Sequence, residues 1–204
     1  MSLKVLGITG GVGCGKSTVL EYLRSAYGAF LIECDEVARN LQEPEGACYG
    51  PMLELFGEEI LLPDGTIDRK AVAAVIFKNP AMREKLNAIV HPAVKARVKE
   101  LIGQSAAYPL TVIEAALLLD DDYGEICDEI WYVYASEEAR RQRLKQSRGY
   151  DDERITSMFR SQRPDRSFRR LTSCTIDNSA DDPAAAFGQI DRALEERGIE
   201  KAFR

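Results

Sequence analysis

Residues 7–18 read GITGGVGCGKST, and they run on from the apolar stretch LKVLGIT that begins at Leu3. Gly10-Gly11-Val12-Gly13-Cys14-Gly15-Lys16-Ser17 matches G-x-x-x-x-G-K-[ST], with strand-like sequence before it and helix-like sequence after it. The glycines let the backbone curl until consecutive N–H groups face one anion. The helix that follows adds its positive N-terminal end. Gly11, Val12, Gly13, Cys14, Gly15, Lys16, Ser17 and Thr18 are therefore expected to cradle the phosphates of a nucleoside triphosphate. Lys16 is expected to neutralise the β- and γ-phosphates, and the Ser17 hydroxyl to ligate Mg²⁺, which prefers hard oxygen donors. Cys14 is expected to serve through its N–H, so that Cys14→Ser should be tolerated.

Working outward, LKVLGIT predicts a buried strand, Ser17–Tyr27 a helix with Val19, Leu20 and Leu23 on one face and Gly28 as its stop, and AFLIECD a second strand ending at Asp35. From about residue 44 to 107 the patterns are helical (YGPMLELFG, RKAVAAVIF, AMREKLNAIV, AVKARVKELIG), with a turn at Pro63-Asp64-Gly65. Pro92 is placed to begin the last of these helices. Strand texture returns in LTVIEAALLL and EIWYVYAS. A helix capped by Ser136 follows, then DDERITSMFRSQ as a helix, SCTIDN as a last strand and Pro183–Arg197 as a closing helix. The expected fold is α/β: a P-loop NTPase-type parallel sheet flanked by helices, with a helical insert and a short lid. Residues 1–43, 108–144 and 171–204 form the expected core, 44–107 the insert, and 145–170 an arginine-rich lid.

The chain has 204 residues and a net charge of −6, which argues against a general nucleic-acid surface. No stretch reads as a secretory leader or approaches the ~20 apolar residues of a membrane span. Five scattered cysteines without a CxxC pair read as reduced thiols of a cytoplasmic protein. One histidine excludes a histidine-rich metal site. Against the acidic background, ten arginines crowd residues 140–170. They suggest a local anion partner, or else solvated helix faces.

On the acceptor side, Asp35 stands at the expected C-terminal end of strand 2, where ligands of an open α/β sheet gather. It can take a proton from an attacking hydroxyl, or cap the next helix. Glu33, two residues earlier, is expected on the same side of the strand. Arg143 is the candidate cation on the transferring phosphoryl group, with Arg148 a second. His91 reads either as structural or as a substrate contact, and Asn178 either as a purine reader or as part of a turn.

GITGGVGCGKST, CDEVAR, FGEEILLPDGTIDRKAVAAVIF, LNAIVHPAV, EAALLLD, RQRLKQSRG and IDNSAD together resemble the dephospho-coenzyme A kinase family over nearly the whole chain. The resemblance implies ATP- and Mg²⁺-dependent phosphorylation of the ribose 3′-hydroxyl of dephospho-coenzyme A. It implies that Lys16 binds phosphate, Asp35 is the base, Arg143 is the lid arginine, and residues 44–107 bind the acceptor. Substrate contacts are then expected at Asp35, Arg39, His91 and Leu117, and nucleotide contacts at the loop and Asn178. ATP and dephospho-coenzyme A are the expected partners, with no nucleic acid or membrane, for a monomer or small homo-oligomer. Glu33-Cys34-Asp35 stands where the family usually has Asp-Ala-Asp. Glu114 to Asp120 stands where it usually has D-V-P-L-L-F-E, with both acids exchanged in type. Two other readings are a nucleoside or nucleoside monophosphate kinase, whose acceptor loops Asp35-x-x-x-Arg39 loosely resembles, and a P-loop regulatory module.

Overall fold

The computed structural model describes residues 3–115, 118–119 and 123–202. In chain order the elements are β1 (Val5–Thr9), α1 (Lys16–Tyr27), β2 (Phe30–Glu33), α2 (Cys34–Leu41), α3 (Tyr49–Phe56), α4 (Arg69–Lys78), α5 (Pro80–Gln104), β3 (Thr111–Glu114), β4 (Glu129–Tyr134), α6 (Glu137–Arg148), α7 (Asp152–Ser161), α8 (Asp165–Leu171), β5 (Cys174–Asp177) and α9 (Ala184–Glu195). The chain divides into two compact units, Met1–Ile32 with Ser105–Arg204, and Glu33–Gln104.

The first unit is built on a sheet of order β2-β3-β1-β4-β5, in which β1–β3, β1–β4 and β4–β5 pair in parallel. The central strand β1 is buried along its whole length, which explains why its sequence runs apolar instead of alternating. In β4, successive side chains take opposite faces. Trp131 and Val133 join the core formed with Val19, Leu20 and Leu23 of α1 and Ile190 and Leu194 of α9. Tyr132, between them, stacks on Phe168 of α8 with ring centroids 4.6 Å apart. Helices thus cover both faces. Helix α1 stops where expected: Gly28 is left-handed (φ 63°) and its N–H returns to the carbonyl of Arg24.

A polar hub ties the end of the chain to β4. Glu129 accepts from Arg197 Nε at 2.6 Å, from the indole N–H of Trp131 at 2.9 Å and from Ser173 Oγ at 3.0 Å. The Arg197 bond, helped by Trp131 and Ser173 and opposed by burial, holds the Glu129 carboxyl below its usual range. A carboxyl so lowered stabilises the fold above its unfolded pKa of about 4.3, and that contribution is lost as the pH falls through the lower folded value. Glu129→Gln is expected to lower stability at pH 7 by roughly 1–2 kcal/mol. It should also flatten the decline in stability below pH 5. Thermal melts followed by the emission of the single tryptophan test both.

The second unit is helical. Met52 and Phe56 of α3, Ile60, Ile67 and Val72 form its core, with Met82, Leu86, Ile89 and Val90 of α5 packed against it. The expected turn is present, with Gly65 left-handed (φ 82°) and Asp64 accepting from the Thr66 N–H at 3.0 Å. Asp68 caps α4 by accepting from the N–H groups of Lys70 and Ala71.

Two expectations are corrected here. The run 80–104 is one helix of 25 residues with Pro92 inside it, where two helices meeting at His91-Pro92 were expected. Proline removes one backbone hydrogen bond. Apolar contacts on both sides of it, from Met82 and Leu86 to Val94 and Val98, keep the helix running. Strand β2 ends at Glu33 and α2 begins at Cys34, so Asp35 is a helical residue. Glu33 and Asp35 therefore do not share one side of a strand. In addition, α8 was not anticipated: Pro164 occupies its cap position without a side-chain cap bond, so the usual start signal is missing.

Candidate active site

The loop between β1 and α1 is shaped by its carbonyls as much as by its glycines. Lys16 Nζ donates to the carbonyl of Gly10 at 3.0 Å, Arg140 Nε to that of Val12 at 2.8 Å, and Asn178 Nδ2 to that of Cys14 at 2.9 Å. Gly15 is left-handed (φ 85°), and a Cβ on it would overlap Asn178 Nδ2. Both the dihedral and the close approach require glycine there. At Lys16 and Ser17 the first N–H groups of α1 have no carbonyl four residues back within the helix, a helix start of the kind that suits an anion. The Ser17 and Thr18 side chains are exposed.

Lys16 also pairs with Glu114 at 3.4 Å, both partly buried. The parallel register sets Glu114 beside Ile8, one residue before the end of β1, and so explains the pairing. Thr9, the last residue of β1, is fully buried, and its Oγ1 has no partner among the described residues.

Three helical positions on α6 face the loop. Arg143 Nη2 donates to the carbonyl of Ala180 at 2.8 Å. Its Nη1 is buried without a hydrogen-bond partner among the described residues, 3.6 Å from where a Gly15 Cβ would sit. Arg140 adds Gln162 Oε1 at 2.5 Å and lies over the Phe159 ring at 4.2 Å. Leu144 is buried and packs 3.1 Å from the Cβ position of Gly13. Further along, Arg141 and Lys145 hold Asp152 of α7 at 3.0 and 2.8 Å. Arg140 and Arg141, with Lys145, thus join α6 to α7.

Cys14 differs from expectation. Its side chain is 1% exposed and belongs to the main core, and burial pushes the thiol up against the opposing pull of Lys16 and Arg140. Cys14→Ser places a smaller and more polar side chain in that core, at an expected cost of about 1 kcal/mol. Cys14→Ala should cost less than Cys14→Ser, and urea denaturation ranks the two.

In the helical unit, Asp35 lies exposed in the first turn of α2, and Arg39 lies exposed in its last turn. The cap position is Glu33, with no side-chain cap bond, so Asp35 is not the cap residue. His91 is half-buried within α5. Leu117 and Asp120 lie outside the described residues.

Sequence reasoning missed Arg140 and the pairing of Glu114 with Lys16. A signal for Arg140 was present: it precedes Arg143 by three residues and Leu144 by four, the spacing of one helix face. Asn178 was read as a purine contact or a turn. The structure commits its amide N–H to Cys14 with the residue 4% exposed, which makes it a brace of the loop.

Comparison with known proteins agrees with this arrangement. The family model described as dephospho-CoA kinase matches residues 4–183. A curated relative of that name from Geobacter metallireducens is 37% identical over 178 residues, covering 85% of this chain and 87% of the relative. One from Geobacter sulfurreducens is 34% identical over 181 residues, covering 87% and 90%. A crystal structure of a Thermus thermophilus protein superposes with a TM-score of 0.82 at 26% identity, covering 96% of this chain and 98% of that one. A dephospho-CoA kinase from Campylobacter jejuni shares the fold with a TM-score of 0.63 at 20% identity, covering 95% and 97%. With the P-loop braced at three carbonyls and the family model spanning most of its length, the chain belongs to the dephospho-CoA kinase family.

Proposed function

We propose that the chain transfers the γ-phosphoryl group of ATP to the ribose 3′-hydroxyl of dephospho-coenzyme A, giving coenzyme A. The observation that carries this reading is the family match across residues 4–183, on a chain whose phosphate loop is already formed. Asp35 takes the proton of the acceptor hydroxyl as its oxygen attacks the γ-phosphorus. Lys16 exchanges its Glu114 contact for the phosphate oxygens and keeps its bond to the Gly10 carbonyl, since an ammonium has three donors. Arg143 turns its unpartnered N–H to the charge that develops on the transferring group. Segment 145–170 keeps water out, since water in place of the acceptor would hydrolyse ATP. Acceptor recognition is assigned to residues 44–107, with Arg39 and His91 as contacts. The reaction is placed in the cytoplasm, and no described helix is long and apolar enough to cross a membrane.

Mg²⁺ fits the residues present. No cluster of three or more His, Cys, Asp or Glu side chains suited to a metal occurs among the described residues. Mg²⁺ is commonly held by one or two protein oxygens together with substrate phosphates, so such a cluster is not required. The exposed Ser17 hydroxyl is the proposed protein ligand. When bound, the ion would neutralise charge on the β- and γ-phosphate oxygens.

The test is a coupled assay offering dephospho-coenzyme A or adenosine monophosphate as acceptor, with and without Mg²⁺. Formation of coenzyme A only with the first acceptor supports the reading. Preference for adenosine monophosphate moves the chain to the nucleotide kinases. Acceptor-independent ATP turnover makes it a regulatory module.

A further inference from the structure

We infer that Arg140 is a positioning residue that sets the phosphate affinity of the loop by fixing one peptide plane. A peptide group is planar and trans, so its C=O and N–H point in opposite directions. By holding the Val12 carbonyl from α6 at 2.8 Å, Arg140 turns the N–H of Gly13 away from α6. The same device acts two residues later, where Asn178 holds the Cys14 carbonyl and so orients the N–H of Gly15. Lys16 holds the Gly10 carbonyl two residues before. Every second carbonyl from Gly10 to Cys14 is tied by a side chain, which leaves the N–H groups of Gly11, Gly13 and Gly15 aligned for an anion.

Arg140 is itself immobilised. Gln162 Oε1 takes its Nη2 at 2.5 Å, and the guanidinium lies 4.2 Å from the Phe159 ring centroid. Nη2 also stands 2.7 Å from where a Cβ on Gly11 would be, so the loop closes around the guanidinium. The end of α7 thereby sets the shape of the phosphate loop through a single side chain. Arginine suits the task because its planar fork donates to Val12 and Gln162 at once, and a lysine ammonium does not reproduce that fork.

The inference rests on the chain binding ATP at this loop, and the experiment separates the two. Calorimetric titration with AMP and with ADP is carried out on the full chain and on Arg140→Ala, Arg140→Lys and Gln162→Ala. ADP engages more of the loop's N–H groups than AMP, so the affinity of Arg140→Ala for ADP should fall by about tenfold, the scale of one charged hydrogen bond, with a smaller change for AMP. Arg140→Lys should not restore ADP affinity, and Gln162→Ala should weaken ADP in the same direction by less. In ¹⁵N-glycine-labelled protein, the Gly13 amide shift on adding ADP should shrink in Arg140→Ala. Equal losses for AMP and ADP would reduce Arg140 to general packing and overturn the inference. Full ADP affinity in Arg140→Lys would overturn it in favour of charge alone. Should Arg140→Ala fail to fold, Arg140→Lys and Gln162→Ala decide the matter by the same criteria. Absence of ADP binding to the parent chain would instead overturn the proposed function.

Discussion

Asp35→Asn should bind ATP as the parent does and lose at least ~10²-fold in turnover, the scale of general-base catalysis. The change is nearly isosteric and removes the negative charge together with the ability to accept a proton. Asp35 is exposed, and the cap position of α2 belongs to Glu33. A stability loss is therefore not expected to confuse the result, and the melting temperature should match the parent's within a degree or two. Initial rates of coenzyme A formation at saturating ATP, beside an ADP titration, give the two halves of the prediction. Parental turnover in the variant would remove Asp35 from proton transfer. It would favour a phosphate acceptor, which needs no base.

Arg143→Ala carries the second large effect. Its Nη1 is a buried donor without a partner among the described residues, while Nη2 is anchored on Ala180. A buried unpaired donor costs about 1–3 kcal/mol, and a phosphate oxygen removes that cost. In the proposed role the group would be poorly satisfied before the reaction and would gain a partner during it, as charge-stabilising catalysis requires. Arg143→Ala should lower kcat by about 10²–10³-fold, comparable to losing one preorganised donor at a developing charge. Its melting temperature should hold or rise. Arg143→Lys should recover little, because one ammonium does not both keep the Ala180 anchor and present a second donor. A fall in stability with unchanged kcat would make Arg143 structural only.

The sheet and the phosphate loop were legible because their signals are local. LKVLGIT is apolar but for Lys4 and Thr9, and GGVGCGKS needs its glycines for backbone reasons that hold wherever the motif sits. The caps at Ser136 and Gly28 were equally readable, since each acts on its own helix end. What escaped depends on residues distant in sequence. Lys16 meets Glu114 only because β3 pairs with β1 in a particular register. Arg140 and Asn178 reach the loop from far down the chain, so one was lost in a crowd of arginines and the other's bond to Cys14 went unseen. Pro92 misled for the opposite reason. Its local rule was sound, but packing on both sides of it outweighed one missing hydrogen bond. Asp35 was placed correctly in order but in the wrong kind of element, because strand and helix meet within two residues.

The braces on the loop bear on how the molecule is made. Gly10 to Ser17 leave the ribosome before their partners: Val12 must wait for one 128 residues later and Cys14 for one 164 residues later. β1 likewise stays unpaired until β3 and β4 have been synthesised. During translation the chain therefore carries an exposed apolar strand until β4 has emerged, and a slack phosphate loop until Asn178 has followed β5. Such non-local closure is slow and leaves nascent chains open to aggregation. Ribosome-bound chains stalled before residue 178 should show no protection by ADP against proteolysis, and those extended past α9 should gain it.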